Sequence, residues 1–448
     1  ITFGPGFSGR SSEWRELRAM SDYFRLEQAI DFAPPEEIRR IQTKLLNEHL
    51  ARCRSRSPFY RRRVAWLPER EVSLEELALF PTTSKQDLAE CNDDFTAVPE
   101  EEISDISFTS GTTGVPCRIC YTRSDLDRLG YNDALGFLAA GMRAGDRVLL
   151  TCTIDRCFIA GLAYYNGVVK LGAAAIRNGL NTIESHAEII RFQKPQAVVG
   201  VPSFLVRLGN YLRENRIDDS SIRTLVCIGE PMRNRRLELT PLGERLNELW
   251  PDRIHSTYAS SEIVTSFTEC SARSGGHPPA DLAIVEILDE AGKPLPPGVP
   301  GEVTVTPLQV AGMPLVRFRT GDVSFLVPEP CPCGRHTLRL GPVLGRKAQM
   351  LKIRGTTLFP NSFFAALDGM PEVAEYYLEV SGRGLSDEVE IFVALKEPGI
   401  ALEEVAARLY GRTRIHVPVC RVTLEDAHAR VFGVSRKPVR FFDRRITE

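Results

Sequence analysis

Short apolar runs alternate with helical stretches through the first two thirds of the chain, and this alternation restricts the fold more than any other feature. Residues 147–154 (RVLLTCTI), 196–201 (QAVVGV) and 224–228 (TLVCI) are continuous, β-branched and uncharged past their first residues. Such runs read as strands covered on both faces. A helical stretch at 203–215 follows Pro202, and another at 11–50 is interrupted by Pro34-Pro35. Strands alternating with helices predict an α/β fold with parallel sheets and crossover helices. Beyond about residue 280 the texture changes. Residues 283–288, 301–306 and 322–327 read as short strands, split by turns such as GKPLPPGVPGE at 292–302. They predict a β-rich subdomain. A third pattern follows Gly345: strands at 376–380 and 389–395, a helix at 402–410 and a strand at 420–424. This is a small α+β unit. The boundary falls near 346–348, giving a large domain over 1–345 and a small, mobile C-terminal domain over 346–448.

The balance of charge excludes some partners. Lys and Arg number 56 against 58 Asp and Glu, so no basic surplus points to nucleic acid or an anionic membrane. No apolar run approaches the roughly 20 residues of a membrane helix. Eleven cysteines lie scattered without disulfide-like spacing, which favours reduced thiols and a cytoplasmic location. The expected assembly is a monomer or homodimer.

Residues 107–116 read SFTSGTTGVP. Gly111 and Gly114 bracket Thr112 and Thr113, and Ser110 precedes them. Glycines let the backbone aim N–H groups inward as an anion nest, and the hydroxyls add donors. Flanking strand residues predict a hairpin. No Gly-Lys-Ser/Thr follows, so this is not a Walker loop. Taken alone, the stretch reads equally well as a polar hairpin turn. Downstream come Gly229-Glu230-Pro231, Tyr258-Ala259-Ser260-Ser261-Glu262, Arg317-Phe318-Arg319-Thr320-Gly321-Asp322, Gly345-Arg346-Lys347-Ala348, and Lys437-Pro438-Val439-Arg440 leading to Asp443-Arg444-Arg445.

In this order these motifs resemble those of the adenylate-forming superfamily of acyl-CoA synthetases and adenylation domains, and within it the phenylacetate–CoA ligases. The resemblance runs from Ser107 to Arg445, about three quarters of the chain. It implies that ATP and a carboxylic acid form an acyl-adenylate, whose acyl group then passes to coenzyme A. It implies that Ser110, Thr112 and Thr113 contact phosphates, that Gly229, Glu230, Pro231 and Tyr258 to Ser261 line the adenine side, and that Glu262 holds Mg²⁺. Asp322 and Arg346 would hold the ribose, since a carboxylate accepts two hydroxyls at once. Lys437 would act between the substrate carboxylate and the α-phosphate. The chain departs from the family at four positions: Val115 and Cys117 replace Lys and Thr, Ala259 replaces Gly, and Ala348 replaces the Asp at the domain pivot.

Cys157, Phe158, Ala163, Tyr164, Tyr165 and Phe204 are candidates for a pocket that would suit a flat aryl acid, although the aromatic rings read equally as core packing. Cys331-Pro332-Cys333 with Cys270 and His277 offers three thiolates and an imidazole, a donor set suited to structural Zn²⁺. The spacing is not that of a standard finger. Reduced thiols in a turn, or a redox pair, fit it as well, but similar strings in phenylacetate–CoA ligase-like proteins favour zinc. Two alternatives stay open on sequence: an adenylating ligase with an amine or carrier-protein thiol as acceptor, and a non-catalytic nucleotide-binding protein.

Overall fold

The computed structural model describes residues 23–63, 68–109, 117–353, 356–382, 387–397, 399–433 and 438–445. Strands β1 (Ile103–Phe108) and β2 (Arg118–Thr122) form an antiparallel hairpin. The apolar runs of the sequence then build a seven-stranded sheet: β3 (Arg147–Leu150), β4 (Ala174–Arg177), β5 (Ala197–Gly200), β6 (Thr224–Ile228), β7 (Ile254–Ser260), β8 (Thr265–Glu269) and β9 (Gly276–His277). Its order is β4-β3-β5-β6-β7-β8-β9, parallel through β7 and antiparallel beyond. Every residue of β5 and β6 is buried, as uninterrupted apolar strands require. One face carries a core of Leu149, Val198, Leu205, Leu225 and Trp250; the other packs Val148, Leu150, Phe137, Tyr164 and Val199. The chain leaves β3 for β4 on one side and returns as β5 on the other. Crevices for ligands open at such a reversal, beyond the carboxyl ends of the strands.

An antiparallel sheet of β10 (Ala283–Leu288), β11 (Gly301–Pro307), β12 (Phe318–Ser324) and β13 (Gly345–Arg346) follows. The last part of the chain forms a hairpin, β14 (Leu351–Ile353) and β15 (Thr356–Leu358). It also forms a mixed sheet from β16 (Val373–Ser381), β17 (Glu388–Leu395), β18 (Val419–Arg421) and β19 (Phe441–Asp443), ordered β18-β17-β16-β19. This part has its own core, with Leu351, Phe363, Leu378, Ile391 and Val405 fully buried together. It rests on the rest of the chain through helix Pro360–Asp368, which packs on helix Pro241–Leu249. Asn361 Nδ2 donates to the Leu344 carbonyl (3.3 Å), and Phe359 covers Gly345 so closely that a Cβ there would stand 2.3 Å from its ring.

Four departures from the expected element boundaries bear on the architecture. The strand expected at 147–154 ends at Leu150, and further along Arg156 and Cys157 take left-handed φ angles of 65° and 55°. The loop they form is pressed against helix Ile159–Lys170, where any Cβ at Gly161 would meet the Thr153 carbonyl. The strand expected at 322–327 is β12, shifted toward the N-terminus, so Thr320 and Gly321 lie within the strand rather than before it. The β11–β12 register slips between Glu302 and Thr304, and Gly321 takes φ 76°, which only glycine adopts easily. The strand expected at 420–424 is β18, and helix Leu424–Phe432 takes over from Leu424, capped by the Thr423 hydroxyl. The N-terminal helix runs Pro35–Arg56 with Pro35 at its first turn; residues before 23 lie outside the described ones.

Candidate active site

The neck of the β1–β2 hairpin is closed by paired bonds: Thr109 N donates to the Cys117 carbonyl (3.0 Å) and Cys117 N to Thr109 Oγ1 (3.2 Å). Ser110, Gly111, Thr112, Thr113 and Gly114 lie outside the described residues. The hairpin is fixed to its surroundings from both strands. On β1, Phe108 N donates to the Cys157 carbonyl (2.9 Å), which sets the loop after β3 alongside. On β2, the buried Tyr121 hydroxyl pairs with Ser107 Oγ (3.0 Å) and donates to the Ser261 carbonyl (3.4 Å). That second bond brings the turn after β7 to the neck of the loop.

Glu262 sits on that turn. Its carboxylate accepts from Ser260 Oγ and stands 3.8 Å from Lys85 Nζ. Both charges bear on the Cys117 thiol, which is pushed up first by burial and then by Glu262. Lys85 is a site residue that the sequence did not reveal, since it belongs to no motif. Tertiary bonds put it there. Thr83 N donates to the Arg317 carbonyl (3.1 Å) and Arg319 N to the Thr83 carbonyl (2.8 Å), pinning the start of helix Lys85–Glu90 to β12. Ser84 and Asp87 close a capping box at that start.

Asp322 projects from the irregular part of β12. Tyr258 Oη donates to its Oδ2 (2.9 Å), and Arg346 Nε lies 3.5 Å from its Oδ1, across the β12–β13 pairing of Asp322 with Arg346. The Tyr258 hydroxyl is held well above its ordinary pKa by burial first and the Asp322 charge second, so it stays a donor. The Asp322 carboxylate keeps lone pairs for two further hydroxyls. Gly229 takes φ 78°, and Glu230 turns back to accept from Ser203 N (2.8 Å) and Ser203 Oγ (3.0 Å), capping helix Pro202–Glu214. Burial raises the pKa of Glu230 against those bonds. Its carboxylate is thus committed to the helix, leaving backbone of 229–231 for a ligand. Lys437 lies outside the described residues.

The aromatic residues expected to line an aryl pocket are spread over two cores and a loop. Tyr164 is buried in the core, 6.2 Å from the Phe137 ring. Phe204 sits edge-on to His186 at 5.0 Å, and the Arg177 guanidinium lies 5.4 Å from the Tyr165 ring. Phe158 is half-buried on the loop beside the hairpin. An open recess of about 430 Å³ lies beyond the ends of β3 and β4, and residues 153–156 and 177–181 make it polar rather than aromatic.

Cys270, His277, Cys331 and Cys333 do converge. Their donor atoms all lie within 4.8 Å of one another, with Cys270 Sγ 3.5 Å from Cys331 Sγ and Cys333 Sγ 3.6 Å from His277 Nε2. A tetrahedral ion with metal–sulfur bonds of about 2.3 Å has sulfur–sulfur edges of about 3.8 Å, so the set fits zinc. His277 Nδ1 pairs with Thr337 Oγ1 (2.7 Å), and in the tautomer that donates this bond Nε2 keeps its lone pair for a metal. Ala272 N and Arg335 Nη1 donate to Cys270 and Cys333 sulfur. Burial lowers the His277 pKa to about 3, keeping it neutral.

The layered fold, with the hairpin neck, the Glu262 turn and the strand-borne Asp322 gathered at the end of β7, is that of the adenylate-forming enzymes. Residues 48–313 match the AMP-binding enzyme family, and the chain belongs to that family as a phenylacetate–CoA ligase-like member. Phenylacetate-coenzyme A ligase of Thermus thermophilus is 32% identical over 380 residues, covering 82% of this chain and 84% of its own length. The Pseudomonas putida enzyme of the same name is 30% identical over 85% of this chain and 87% of its own. The fold is shared with 2-hydroxyisobutyryl-CoA ligase, solved in a postadenylation state with an acyl-AMP. The TM-score is 0.80 at 22% identity, covering 92% of this chain and 91% of that one.

Proposed function

We propose that the chain is an ATP-dependent acid–CoA ligase acting on a carboxylic acid, in our reading an aryl acid. A carboxylate oxygen attacks the α-phosphorus of ATP, the bond to the β-phosphate oxygen breaks, and pyrophosphate leaves. The thiol of CoA then attacks the acyl carbon, loses its proton, and AMP departs. Neither step needs covalent help from protein; positioning and charge neutralisation suffice. One observation carries the reading. The neck of the hairpin, Glu262 with Lys85, and the Tyr258–Asp322–Arg346 group are gathered at the carboxyl end of β7 although they come from distant parts of the chain. The names of the relatives above point the same way.

In this reading the hairpin holds the β- and γ-phosphates, and Glu262 is the hard oxygen ligand for Mg²⁺. Lys85 is a second cation beside the phosphates, and Asp322 takes the ribose hydroxyls. Residues 1–345 bind ATP and acid, and 346–448 form a mobile domain carrying Lys437. The four-residue Cys/His set holds a structural zinc ion away from the chemistry. All eleven cysteines are free, and no helix among the described residues is long and apolar enough to cross a membrane. Free thiols suit the reducing cytoplasm.

ATP–pyrophosphate exchange over a panel of carboxylic acids, followed by mass analysis after adding CoA, tests the whole reading. Exchange with an aryl acid and an acyl-CoA product is expected. Exchange without thioester would move the acceptor to an amine or a carrier thiol. Absence of exchange with every acid would remove the enzyme reading. Within that assay, Asp322→Ala should raise the KM for ATP roughly 30- to 100-fold, the loss of about 2–3 kcal/mol that hydrogen bonds to a charged group carry. An unchanged KM would show that the ribose sits elsewhere.

A further inference from the structure

The segment joining the two parts of the chain is tethered from opposite sides, and the tethers meet at one residue. Before Ala348 the side chains belong to the large part. Arg346 faces Asp322 across β13–β12, and Lys347 Nζ lies 3.3 Å from Glu302 Oε2, which also accepts from Arg319 Nε (2.9 Å). From the Ala348 carbonyl onward the tether changes hands. Arg445 Nη2 donates to the Ala348 carbonyl (3.0 Å), and its Nη1 donates to the Met350 carbonyl (2.9 Å) and to Asp387 Oδ2 (3.2 Å). Its Nε donates to Asp443 Oδ1 (2.8 Å). The guanidinium is seated on the small part's own sheet: Arg444 N donates to the Val380 carbonyl (2.7 Å), and Asp387 also accepts from Lys352 N (2.6 Å). Ala348 is exposed and its methyl offers no tether of its own.

We propose that Arg445 is a positioning residue that fixes where the chain bends when the small domain turns. It joins the Ala348–Gln349 peptide to the small domain as one rigid body, so rotation is confined to the φ and ψ of Ala348. The Met350 N–H bond to the Lys347 carbonyl (3.1 Å) spans this pivot, and turning breaks it. A planar fork with five N–H donors can span two carbonyls and two carboxylates; a lysine ammonium cannot. The inference rests on the two-step reading above and adds to it the residue that defines the pivot.

The two orientations depend on Arg445 unequally. In the orientation described, the small domain is also held by helix Pro360–Asp368 on helix Pro241–Leu249 and by Phe359 and Asn361 on residues 344–345. Those contacts cannot follow a turn of the domain. After the turn, its placement relies far more on the pivot.

The test measures the half-reactions separately: ATP–pyrophosphate exchange for the first, and transfer of a preformed acyl-adenylate to CoA for the second. Arg445→Ala should keep exchange within about threefold yet slow transfer about tenfold or more, because small misplacements of reacting groups cost rate steeply. Arg445→Lys should behave like the alanine variant. Asp443→Asn, which loosens the guanidinium without removing it, should slow transfer by a smaller factor in the same direction, and it decides the matter if Arg445→Ala fails to fold. Equal losses in both half-reactions, or transfer restored by Arg445→Lys, would overturn the pivot role and leave the ligase reading intact. A wild-type protein without exchange would instead remove the ligase reading.

Discussion

Lys437→Ala should abolish most adenylate formation while leaving ATP binding almost intact. The transition state gathers negative charge as the substrate carboxylate closes on the α-phosphate. A preorganised cation there acts in a water-poor site, and losing one such donor costs about 10²- to 10³-fold in rate. In the proposed reading ATP affinity comes from other groups, namely the hairpin and the Asp322 cluster, so its dissociation constant should move less than about threefold. The chain just past Lys437 is well anchored. Val439 N donates to the Val431 carbonyl (2.9 Å), and Arg440 makes two bonds, of 2.8 and 3.2 Å, to the buried Glu375. The effect of the variant is therefore expected to stay local. Transfer from a preformed adenylate should survive in it, because the second step no longer needs this cation. Pyrophosphate exchange at the wild-type rate would falsify the assignment.

How much of this was legible in the sequence depends on whether the deciding interaction is local. The strand at 224–228 was read correctly to the residue, because its apolar run is a direct consequence of burial on both faces. The run at 147–154 looked the same but ends four residues early. Nothing local distinguishes Thr151 to Ile154 from Leu149; a loop pressed on Gly161 does. Asp322 was singled out by its motif and set at the start of a strand that in fact begins at Phe318, since a bulged strand with a glycine at positive φ has the composition of a turn. Lys85 was missed because its place depends on a backbone bridge from Thr83 to β12, more than 200 residues away. Tyr164 was offered as a pocket residue because an aromatic ring at helical spacing serves a core or a pocket alike; only the packing against Phe137 separates the two. The motifs singled out Tyr258, Glu262, Asp322 and Arg346, which the structure gathers near the end of β7 and which periodicity alone would not have linked.

The largest loss of stability should follow from removing metal from the Cys/His set. Purified protein is expected to carry about one zinc per chain, measured by elemental analysis. A chelator, or Cys331→Ser, should lower the melting temperature by roughly 8 °C, taking about 4 kcal/mol for a tightly bound ion and ~2 °C per kcal/mol for a domain of this size. The reason lies in what the ion would join. Cys270 follows β8, His277 lies in β9 at the edge of the large sheet, and Cys331 and Cys333 sit on a turn with little regular structure of its own. That turn in turn holds the N-terminal segment: His336 N donates to the Asp31 carbonyl (2.9 Å), and the Arg335 guanidinium lies 4.6 Å from the Phe32 ring. Without an ion, burial pushes the Cys270 thiol, 3.5 Å from the Cys331 sulfur, up to about 12, so it keeps its proton. Binding metal replaces that proton and ties four points of three segments together. Because none of the four residues contacts Glu262, Asp322 or the hairpin neck in the bonds described, activity per folded molecule should change little at low temperature while melting shifts. Metal-free protein with an unaltered melting temperature would reduce the cluster to free thiols in a turn.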